Sequence, residues 1–282
     1  MDYDVDIAIM GGGLAGISAA ITAANKGLSV IVLERGERSG SKNVSGGRMY
    51  IHSLEKLLGN RFKDAPLELP IKKETFEIYT KEKKISFSFE NKETENSYSI
   101  LRSKFDAWFA SEAENIGIPI SYSTLVRGID REDGGLVLRS DRGDIRTPLL
   151  IESDGAAAFA SRYLGLVKEK KFSMQPVEKL ENNPDFMPKQ FMVGVKEIID
   201  KKTENTYGEA RTILGLSEDI KGGGFSYTNK ETTSIGLTLK LDSLEKHEDK
   251  AFEIIEDFRE KLAITGAHNF YVSIILISHS YF

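Results

Sequence analysis

The sequence predicts a mixed α/β (α+β) fold that combines one βαβ unit with a separate antiparallel sheet. The first observation is the N-terminal order of an apolar run, a glycine-rich turn, an Ala-rich run and a second apolar run. The second is the period-two alternation over Thr75–Tyr79 and Lys84–Phe89, which is typical of half-buried antiparallel strands. With 282 residues the chain exceeds one average domain, so we expect one large or two closely joined domains.

Each element of the N-terminal unit has a local cause. Val5–Met10 is short and apolar, which predicts a buried strand. The Ala-rich run Ile17–Asn25 predicts a helix, and Gly27 is a helix stop. The β-branched run Ser29–Leu33 predicts a second strand that ends at Glu34. Strand, glycine turn, helix and strand make one βαβ unit.

The turn between the first strand and the helix carries the G-x-G-x-x-G pattern of a dinucleotide site. Gly11 permits the tight turn, Gly13 lets a pyrophosphate approach the backbone, and Gly16 lets the helix pack close to the strand. Leu14 and Ala15 begin the helix, whose unpaired N–H groups and positive dipole end point at the phosphates.

Glu34 lies about 20 residues further on, where a carboxylate can accept hydrogen bonds from a ribose diol and disfavours a 2′-phosphate. The alternative is a glycine-rich loop in an ordinary α/β protein. The flanking strands, the helix and the acid all favour the dinucleotide interpretation. The motif does not separate FAD from NAD, but its position at the extreme N-terminus favours FAD.

Composition excludes several classes of function. A net charge of -5 does not provide the positive charge that nucleic-acid binding requires. The absence of cysteine excludes disulfides, thiolate zinc sites and a Cys-ligated iron-sulfur cluster within this chain, and the four scattered histidines predict no metal site. The acidic N-terminus is unlike a signal peptide, and the apolar run Phe270–Ile277 is too short to cross a bilayer. We therefore expect a cytoplasmic protein without a transmembrane segment.

The segment Arg35–Tyr50 is dense in glycine, serine and cations, so we expect a loop. Long loops beside a nucleotide strand are more often functional than idle. Its glycines allow the backbone to lie flat against a planar ligand, and Lys42, Asn43 and Arg48 can donate hydrogen bonds to a carbonyl-rich ring. A solvated surface loop is the alternative.

The remaining chain alternates between helical and strand patterns. Helices are predicted at His52–Leu58, at Tyr98–Asn115 with Ser103 as a plausible N-cap, and at Ala251–Leu262. A surface traverse is predicted over Val167–Lys189. Strands are predicted at Pro119–Arg127, Leu136–Ser140, Thr147–Ile151, Gln190–Ile199, Ala210–Leu216, Gly224–Thr228 and Thr233–Leu241.

An acid and a glycine, Asp154 and Gly155, follow the strand predicted at Thr147–Ile151. The carboxyl end of a buried strand is where α/β sheets place ligand contacts. A simple Asp-Gly turn is the alternative.

Five segments together resemble the FixC family of FAD proteins, which are similar to electron-transfer flavoprotein:quinone oxidoreductases. More distant similarity extends to geranylgeranyl reductases and aromatic hydroxylases. The segments are GGGLAG with Glu34, SGSKNVSGGRMY (39–50), YSILRSKFDAWF (98–109), SDGAAA (153–158) and GGGFSYTN (222–229).

The resemblance implies a Rossmann-like FAD domain interrupted by an antiparallel sheet that covers the flavin, as in p-hydroxybenzoate hydroxylase and geranylgeranyl reductase. The implied boundaries are 1–68 with 98–170 for the FAD domain, 69–97 with 171–262 for the cap domain, and 263–282 for an atypical tail. The period-two segments between stretches of α/β pattern agree with this arrangement.

The resemblance also implies roles for individual residues. Glycines 11, 13 and 16 would hold the pyrophosphate, and Glu34 would hold the adenosine ribose. Leu14, Ala15 and Arg35 would be further cofactor-binding residues. Arg102 would reach the ribityl and phosphate region, Val126 would pack by the adenine, and Asp154 with Gly155 would form a second FAD-contacting turn. The residues that would line the isoalloxazine are Lys42, Asn43, Val44, Gly46, Gly47 and Arg48.

The implied activity is that of an FAD-dependent oxidoreductase in electron transport. It would take electrons from an electron-transfer flavoprotein and pass them to a ferredoxin-like protein or to a quinone, with peripheral contact at the inner face of the membrane as an alternative to a purely cytoplasmic location. The alternatives are a geranylgeranyl reductase-like or NAD(P)H-dependent flavin enzyme on the same fold, and a non-catalytic remnant.

The chain departs from the family at its end. Family members continue with a third FAD motif, a G-D-A-A-G type turn, and no such turn follows Leu262. We therefore expect a truncated or frameshifted member in which FAD retention is weakened.

Overall fold

The computed structural model describes residues 2–41, 46–80, 83–91, 97–132, 134–155, 158–166, 191–215, 220–244, 251–262, 268–271 and 277–278. Contacts between Cα atoms divide the chain into two compact units. Unit 1 is Met1–Lys42 with Ser103–Phe186, and unit 2 is Asn43–Arg102 with Met187–Phe282. Each unit is therefore assembled from two separate stretches of sequence.

The helices are α1 (Leu14–Ala24), α2 (Ile51–Leu58), α3 (Arg102–Glu114), α4 (Phe159–Tyr163), α5 (Leu241–Leu244) and α6 (Ala251–Lys261), with a 3₁₀ helix at Gly59–Asp64. The strands are β1 (Ile7–Met10), β2 (Val30–Leu33), β3 (Arg48–Tyr50), β4 (Leu67–Tyr79), β5 (Lys84–Glu90), β6 (Ser97–Ile100), β7 (Ile120–Ser121), β8 (Val126–Glu132), β9 (Gly135–Ser140), β10 (Gly143–Thr147), β11 (Leu149–Glu152), β12 (Phe191–Asp200), β13 (Gly208–Leu214), β14 (Gly222–Thr228), β15 (Thr232–Lys240), β16 (His268–Tyr271) and β17 (Ile277–Ser278).

Unit 1 contains the nucleotide-type sheet. Its strands lie in the order β11-β1-β2-β7 and are all parallel, with α1 connecting β1 to β2. A parallel pair needs such a crossover, so the apolar runs and the Ala-rich helix form together. A second, antiparallel sheet has the order β10-β9-β8. Side chains from both sheets share one core that includes Met10, Leu33, Val126 and Leu138.

Unit 2 is built on one large sheet with the order β16-β12-β15-β14-β13-β4-β6-β3, to which β5 adds on β4 and β17 on β12. Its pairs are antiparallel except for β4 with β13, which run parallel. One sheet face packs against α6 through a core that includes Val195, Ile235, Leu237, Ile255 and Phe258. The expected α/β class with a separate antiparallel sheet is confirmed.

The structure differs from the predicted elements in several places. Residues at the start of the predicted helix Tyr98–Asn115 lie in β6, and α3 begins at Arg102 rather than after a Ser103 cap. The end of the predicted loop, Arg48–Tyr50, is strand β3, which pairs with β6. Strand β10 was not predicted; it is short and mostly exposed, so its sequence lacks a clear apolar alternation.

Strand β5 was predicted to be half-buried, but every residue in it is exposed. The reason is its position at an edge, where among the described residues it pairs with β4 alone. Phe87 stacks on Phe76 of β4 with ring centroids 5.2 Å apart, yet Phe87 remains 57% exposed.

The predicted surface traverse Val167–Lys189 lies outside the described residues, and of the predicted tail 263–282 only β16 and β17 are described. Within the described parts of the chain, no helix combines the length and apolar character needed to span a bilayer.

Candidate functional site

The glycine turn of unit 1 is shaped by close backbone contacts at two of its three motif positions. A Cβ on Gly11 would lie 2.4 Å from the carbonyl oxygen of Ser153, and Gly11 has a φ of +100°. A Cβ on Gly16 would lie 1.9 Å from the carbonyl oxygen of Gly11. Only glycine fits at either position, which agrees with their predicted roles in the turn and in helix packing.

Gly13 differs from the other two because a Cβ built on it meets no atom within 4 Å. The space beside Gly13 is therefore open, at the point where the motif predicts a pyrophosphate. Gly13 is also the N-cap of α1 and carries no side chain that could bond to the first-turn N–H groups. The N–H groups of Leu14 and Ala15 lie at the positive end of the helix dipole, which suits an anion.

Glu34, at the end of β2, holds the glycine turn itself. Its Oε2 accepts a hydrogen bond from the N–H of Gly12 at 2.7 Å, and its Oε1 accepts one from the N–H of Gly36 at 2.6 Å. Each carboxylate oxygen can accept more than one hydrogen bond, so both remain able to bind a ribose hydroxyl. Sequence reasoning assigned Glu34 to the ribose and missed this second role in positioning the turn.

A second turn follows β11 and packs on the first. The Ser153 hydroxyl donates to the carbonyl oxygens of Met10 at 2.7 Å and Gly11 at 3.1 Å, and its N–H donates to Met10 at 2.8 Å. Ser153 therefore binds the end of β1 to the end of β11. It was not among the predicted site residues, although it lies within the quoted SDGAAA segment.

Asp154 is the next residue in this second turn. Its Oδ2 accepts a hydrogen bond from the N–H of Phe159 at 2.9 Å, whereas its buried Oδ1 has no hydrogen-bond partner among the described residues. Burial raises the pKa of this carboxyl, and the charge of Arg35 opposes the rise. Gly155 follows with a φ of +71°, a conformation that favours glycine. A buried carboxylate with one oxygen available fits a ligand with a donor group.

Two other predicted residues of unit 1 have different environments. Val126, expected beside the adenine, is 5% exposed in the core with Met10 and Leu33. Arg35 is exposed, and its charge acts to lower the pKa of Asp154 against the larger rise caused by burial. Their predicted contacts with the nucleotide stay predictions.

Unit 2 contains the described part of the predicted ring-binding loop. Lys42, Asn43 and Val44 lie outside the described residues, and Gly46, Gly47 and Arg48 lead into β3. The predicted contacts of all six with an isoalloxazine stay predictions.

Arg48 is engaged on three sides within unit 2. Its Nη2 lies 2.9 Å from Oε1 of Glu74, its Nε donates to the Ser97 hydroxyl at 3.1 Å, and its guanidinium lies 4.7 Å from the centre of the Tyr50 ring. The hydrogen bond to Glu74 raises the pKa of Arg48. These contacts hold the side chain in one orientation.

Lys196 in β12 is a site residue that sequence reasoning missed. It is 4% exposed, and its Nζ donates a hydrogen bond to the carbonyl oxygen of Gly46 at 2.8 Å. Burial, with a smaller effect from the charge of Arg102, lowers the pKa of Lys196 to about 8. The available signal was the Lys-Glu pair inside the otherwise apolar run QFMVGVKEII.

The structure thus brings Glu34 and Asp154 to the glycine turn in unit 1. In unit 2, the charge of Arg102 acts on Lys196, which is hydrogen-bonded to Gly46. The predicted convergence of Arg102 and Asp154 on one nucleotide stays a prediction. The open space at Gly13, the helix N-terminus and the available Asp154 oxygen all fit a dinucleotide such as FAD.

Comparison with known proteins points to the same cofactor. A family model described as an FAD binding domain matches residues 6–68. The chain is 33% identical over 280 residues to protein FixC of Escherichia coli O157:H7, covering 94% of this chain and 62% of FixC. It is also 33% identical over 277 residues to the probable electron transfer flavoprotein-quinone oxidoreductase YgcN of Escherichia coli K12, covering 94% of this chain and 61% of YgcN.

Among solved structures, the geranylgeranyl bacteriochlorophyll reductase-like protein of Thermoplasma acidophilum matches with a TM-score of 0.68 and 18% identity. The match covers 98% of this chain and 65% of that protein, and at this identity it shows the fold alone. The chain spans about three fifths of the length of the curated relatives it matches.

Proposed function

Since the chain is homologous to the FixC proteins and to their electron transfer flavoprotein-quinone oxidoreductase relatives, we propose that it is an FAD-dependent oxidoreductase of electron transport. In this proposal it accepts electrons from an electron-transfer flavoprotein and passes them to a quinone or to a ferredoxin-like protein. The observation that carries the proposal is the open face of Gly13, framed by two glycines at which only glycine fits.

The residues of unit 1 would hold the nucleotide. Backbone N–H groups of Leu14 and Ala15 would bind the pyrophosphate at the start of α1, where the helix dipole favours negative charge. Glu34 would accept hydrogen bonds from the ribose hydroxyls while its bonds to Gly12 and Gly36 keep the turn in place. Asp154, in the second turn, would accept a hydrogen bond from a donor group of the ligand through its available Oδ1.

When bound, FAD supplies a ring that accepts and releases electrons, and the protein sets its potential through nearby charges and hydrogen bonds. Lys42 and Arg48 would stabilise negative charge on that ring. Arg48 is suited to this because Glu74 and Ser97 fix its orientation before any ligand binds. No side-chain acid or base is required for electron transfer alone.

Two features support the choice of partners. The two relatives are named as FixC and as an electron transfer flavoprotein-quinone oxidoreductase. The 282 residues contain no cysteine, so they supply no thiolate ligand for an iron-sulfur relay in this electron path.

The test begins with the absorbance spectrum of the purified chain after incubation with FAD. Flavin bands that stay with the protein on a desalting column support the proposal, and stopped-flow mixing with a reduced electron-transfer flavoprotein should then bleach them. A chain that retains no flavin refutes cofactor binding. Rapid bleaching by NADPH, with none by the electron-transfer flavoprotein, would favour a reductase of the geranylgeranyl reductase type instead.

A further inference from the structure

The segment Gly46–Gly47 is hydrogen-bonded to two strands of the unit 2 sheet and lies close to a third. Lys196 of β12 donates to the Gly46 carbonyl at 2.8 Å, and the N–H of Ile100 at the end of β6 donates to the Gly47 carbonyl at 2.8 Å. A Cβ on Gly46 would lie 3.0 Å from the ring of Tyr227 in β14. The path of the chain into β3 is therefore fixed at two consecutive carbonyls.

Gly47 has no room for a side chain. A Cβ there would lie 2.6 Å from the carbonyl oxygen of Ile100 and 3.6 Å from Nζ of Lys196, and the φ of Gly47 is +133°. The glycine permits the backbone to approach both the β6 strand end and the lysine. This close approach brings the Gly46 carbonyl within hydrogen-bonding distance of the ammonium group.

On the sheet face that carries Lys196, the neighbouring position on β15 is a glycine and has no side chain. Lys196 pairs with Gly236 of β15, and Gly236 pairs with Phe225 of β14. A Cβ on Gly236 would lie 2.2 Å from Cζ of Phe225, so the phenyl ring lies across this glycine. The opposite face carries Val195 and packs in the apolar core with α6. Lys196 thus points away from the core of unit 2 and remains buried by the Gly46 segment.

Burying an ammonium group is costly, because the charge loses its hydration. The hydrogen bond to the Gly46 carbonyl compensates part of that cost. A lysine retained under such conditions more often serves a site than the general stability of a sheet.

We propose that Lys196 is a positioning residue for the ring-binding segment, and that it acts by holding the Gly46 carbonyl and so fixing the direction in which Gly46, Gly47 and Arg48 meet the cofactor. The identity of that cofactor rests on the proposed function. Lys196 also adds a positive charge close to the segment, which would favour negative charge on a bound ring.

The groups that face this lysine decide how it responds to pH. The charge of Arg102, at the start of α3, contributes to the lowered pKa of Lys196. Beside the same glycine segment, the charge of Arg48 acts to lower the pKa of Tyr227. Burial raises the pKa of Tyr227 above its usual value, so that its titration lies above that of Lys196. As pH rises through about 8, Lys196 loses its charge and the charge-assisted hydrogen bond weakens.

The first test uses the full chain without FAD, so that its outcome does not depend on the proposed function. We expect Lys196→Met to speed amide hydrogen exchange over residues 46–50 by at least roughly tenfold, because a charge-assisted hydrogen bond is lost. Lys196→Arg should restore part of the protection. Lys230→Met is the matched control, since the exposed Lys230 also donates to a backbone carbonyl, that of Leu67 at 3.0 Å. Unchanged exchange in Lys196→Met, or an equal change in Lys230→Met, would overturn the inference.

A measurement on the unmodified protein covers the case in which Lys196→Met does not fold. The amide nitrogen of Gly47 shares its peptide with the Gly46 carbonyl, so its chemical shift should titrate with a midpoint near pH 8. A shift that does not change when the Lys196 ammonium, followed by its own Nζ resonance, loses its proton would also overturn the inference.

With FAD added, we expect Lys196→Met to weaken binding roughly tenfold and to make the flavin potential more negative, whereas Lys196→Arg keeps the potential close to the original. If no version of the chain binds FAD, the proposed function fails while the exchange experiment still decides the role of Lys196. If FAD binds and its potential is the same in Lys196→Met, the lysine does not act on the ring.

Discussion

Replacing Glu34 with alanine removes the acceptor of two backbone N–H groups at once, those of Gly12 and Gly36. The same change removes the predicted partner of the ribose. Hydrogen bonds to a charged group contribute about 1.5–3 kcal/mol each, and the lower end applies to a side chain that is only partly buried. Glu34→Ala therefore tests the turn and the ligand together.

The magnitudes follow from these contacts. In the FAD-free chain, two bonds at the lower end of this range predict a loss of about 3 kcal/mol in the free energy of unfolding, seen as a fall of roughly 6–12 °C in melting temperature. For FAD, the loss of a charged acceptor predicts an increase in Kd of roughly tenfold to 150-fold. The first effect is read by circular dichroism and the second by quenching of flavin fluorescence.

Glu37→Ala is the matched control, because Glu37 is an exposed acid in the same loop. It should leave both the melting temperature and the FAD affinity close to their original values. An unchanged melting temperature in Glu34→Ala would refute the role of Glu34 in holding the turn. An unchanged Kd, with the turn destabilised, would refute the assignment of the ribose to this carboxylate.

Three further substitutions test separate parts of the site. Gly13→Val should abolish FAD binding in the desalting assay while leaving the melting temperature nearly unchanged, since a side chain there enters open space; retained flavin would contradict the pyrophosphate assignment. Lys42→Ala should make the flavin potential more negative by spectroelectrochemistry while binding is largely kept, and an unshifted potential would count against its place by the ring. Burial raises the pKa of Asp154, so its stabilising contribution is complete below the unfolded-state pKa and is lost as pH rises through the native pKa. Asp154→Asn should remove this loss. The melting temperatures of the original chain and of Asp154→Asn, measured from roughly pH 3 to 7, should therefore differ most at the upper end of the range; a difference that is the same at every pH would contradict the raised pKa.

Local pattern was sufficient to predict the βαβ unit and the glycine turn. The relevant signals, an apolar run, a glycine spacing and a terminal acid, all lie within 34 consecutive residues. The structure places Glu34 against this turn, where its carboxylate accepts a hydrogen bond from the N–H of Gly12. The alternation over Thr75–Tyr79, together with the strand-like segments Gln190–Ile199 and Thr233–Leu241, likewise predicted strands of a second sheet.

What sequence could not predict depends on pairing between distant segments. Strand β3 exists because Arg48–Tyr50 meets β6, and its own composition resembles the preceding loop. Lys196 reaches the Gly46 carbonyl across 150 positions, so its role cannot be read from its neighbours in β12. Ser153 was missed for the same reason, because its partners Met10 and Gly11 are 143 and 142 positions away in the sequence.

The interleaving of the two units limits how this protein can be dissected. Because unit 1 uses Met1–Lys42 with Ser103–Phe186 and unit 2 uses Asn43–Arg102 with Met187–Phe282, no single cleavage yields two fragments that each hold one whole unit. During synthesis, strand β4 must also wait for β13, its parallel neighbour, which emerges from the ribosome more than a hundred residues later. We therefore expect the nascent chain to present an unfilled sheet edge for that interval, and chaperone dependence in expression would be its practical signature.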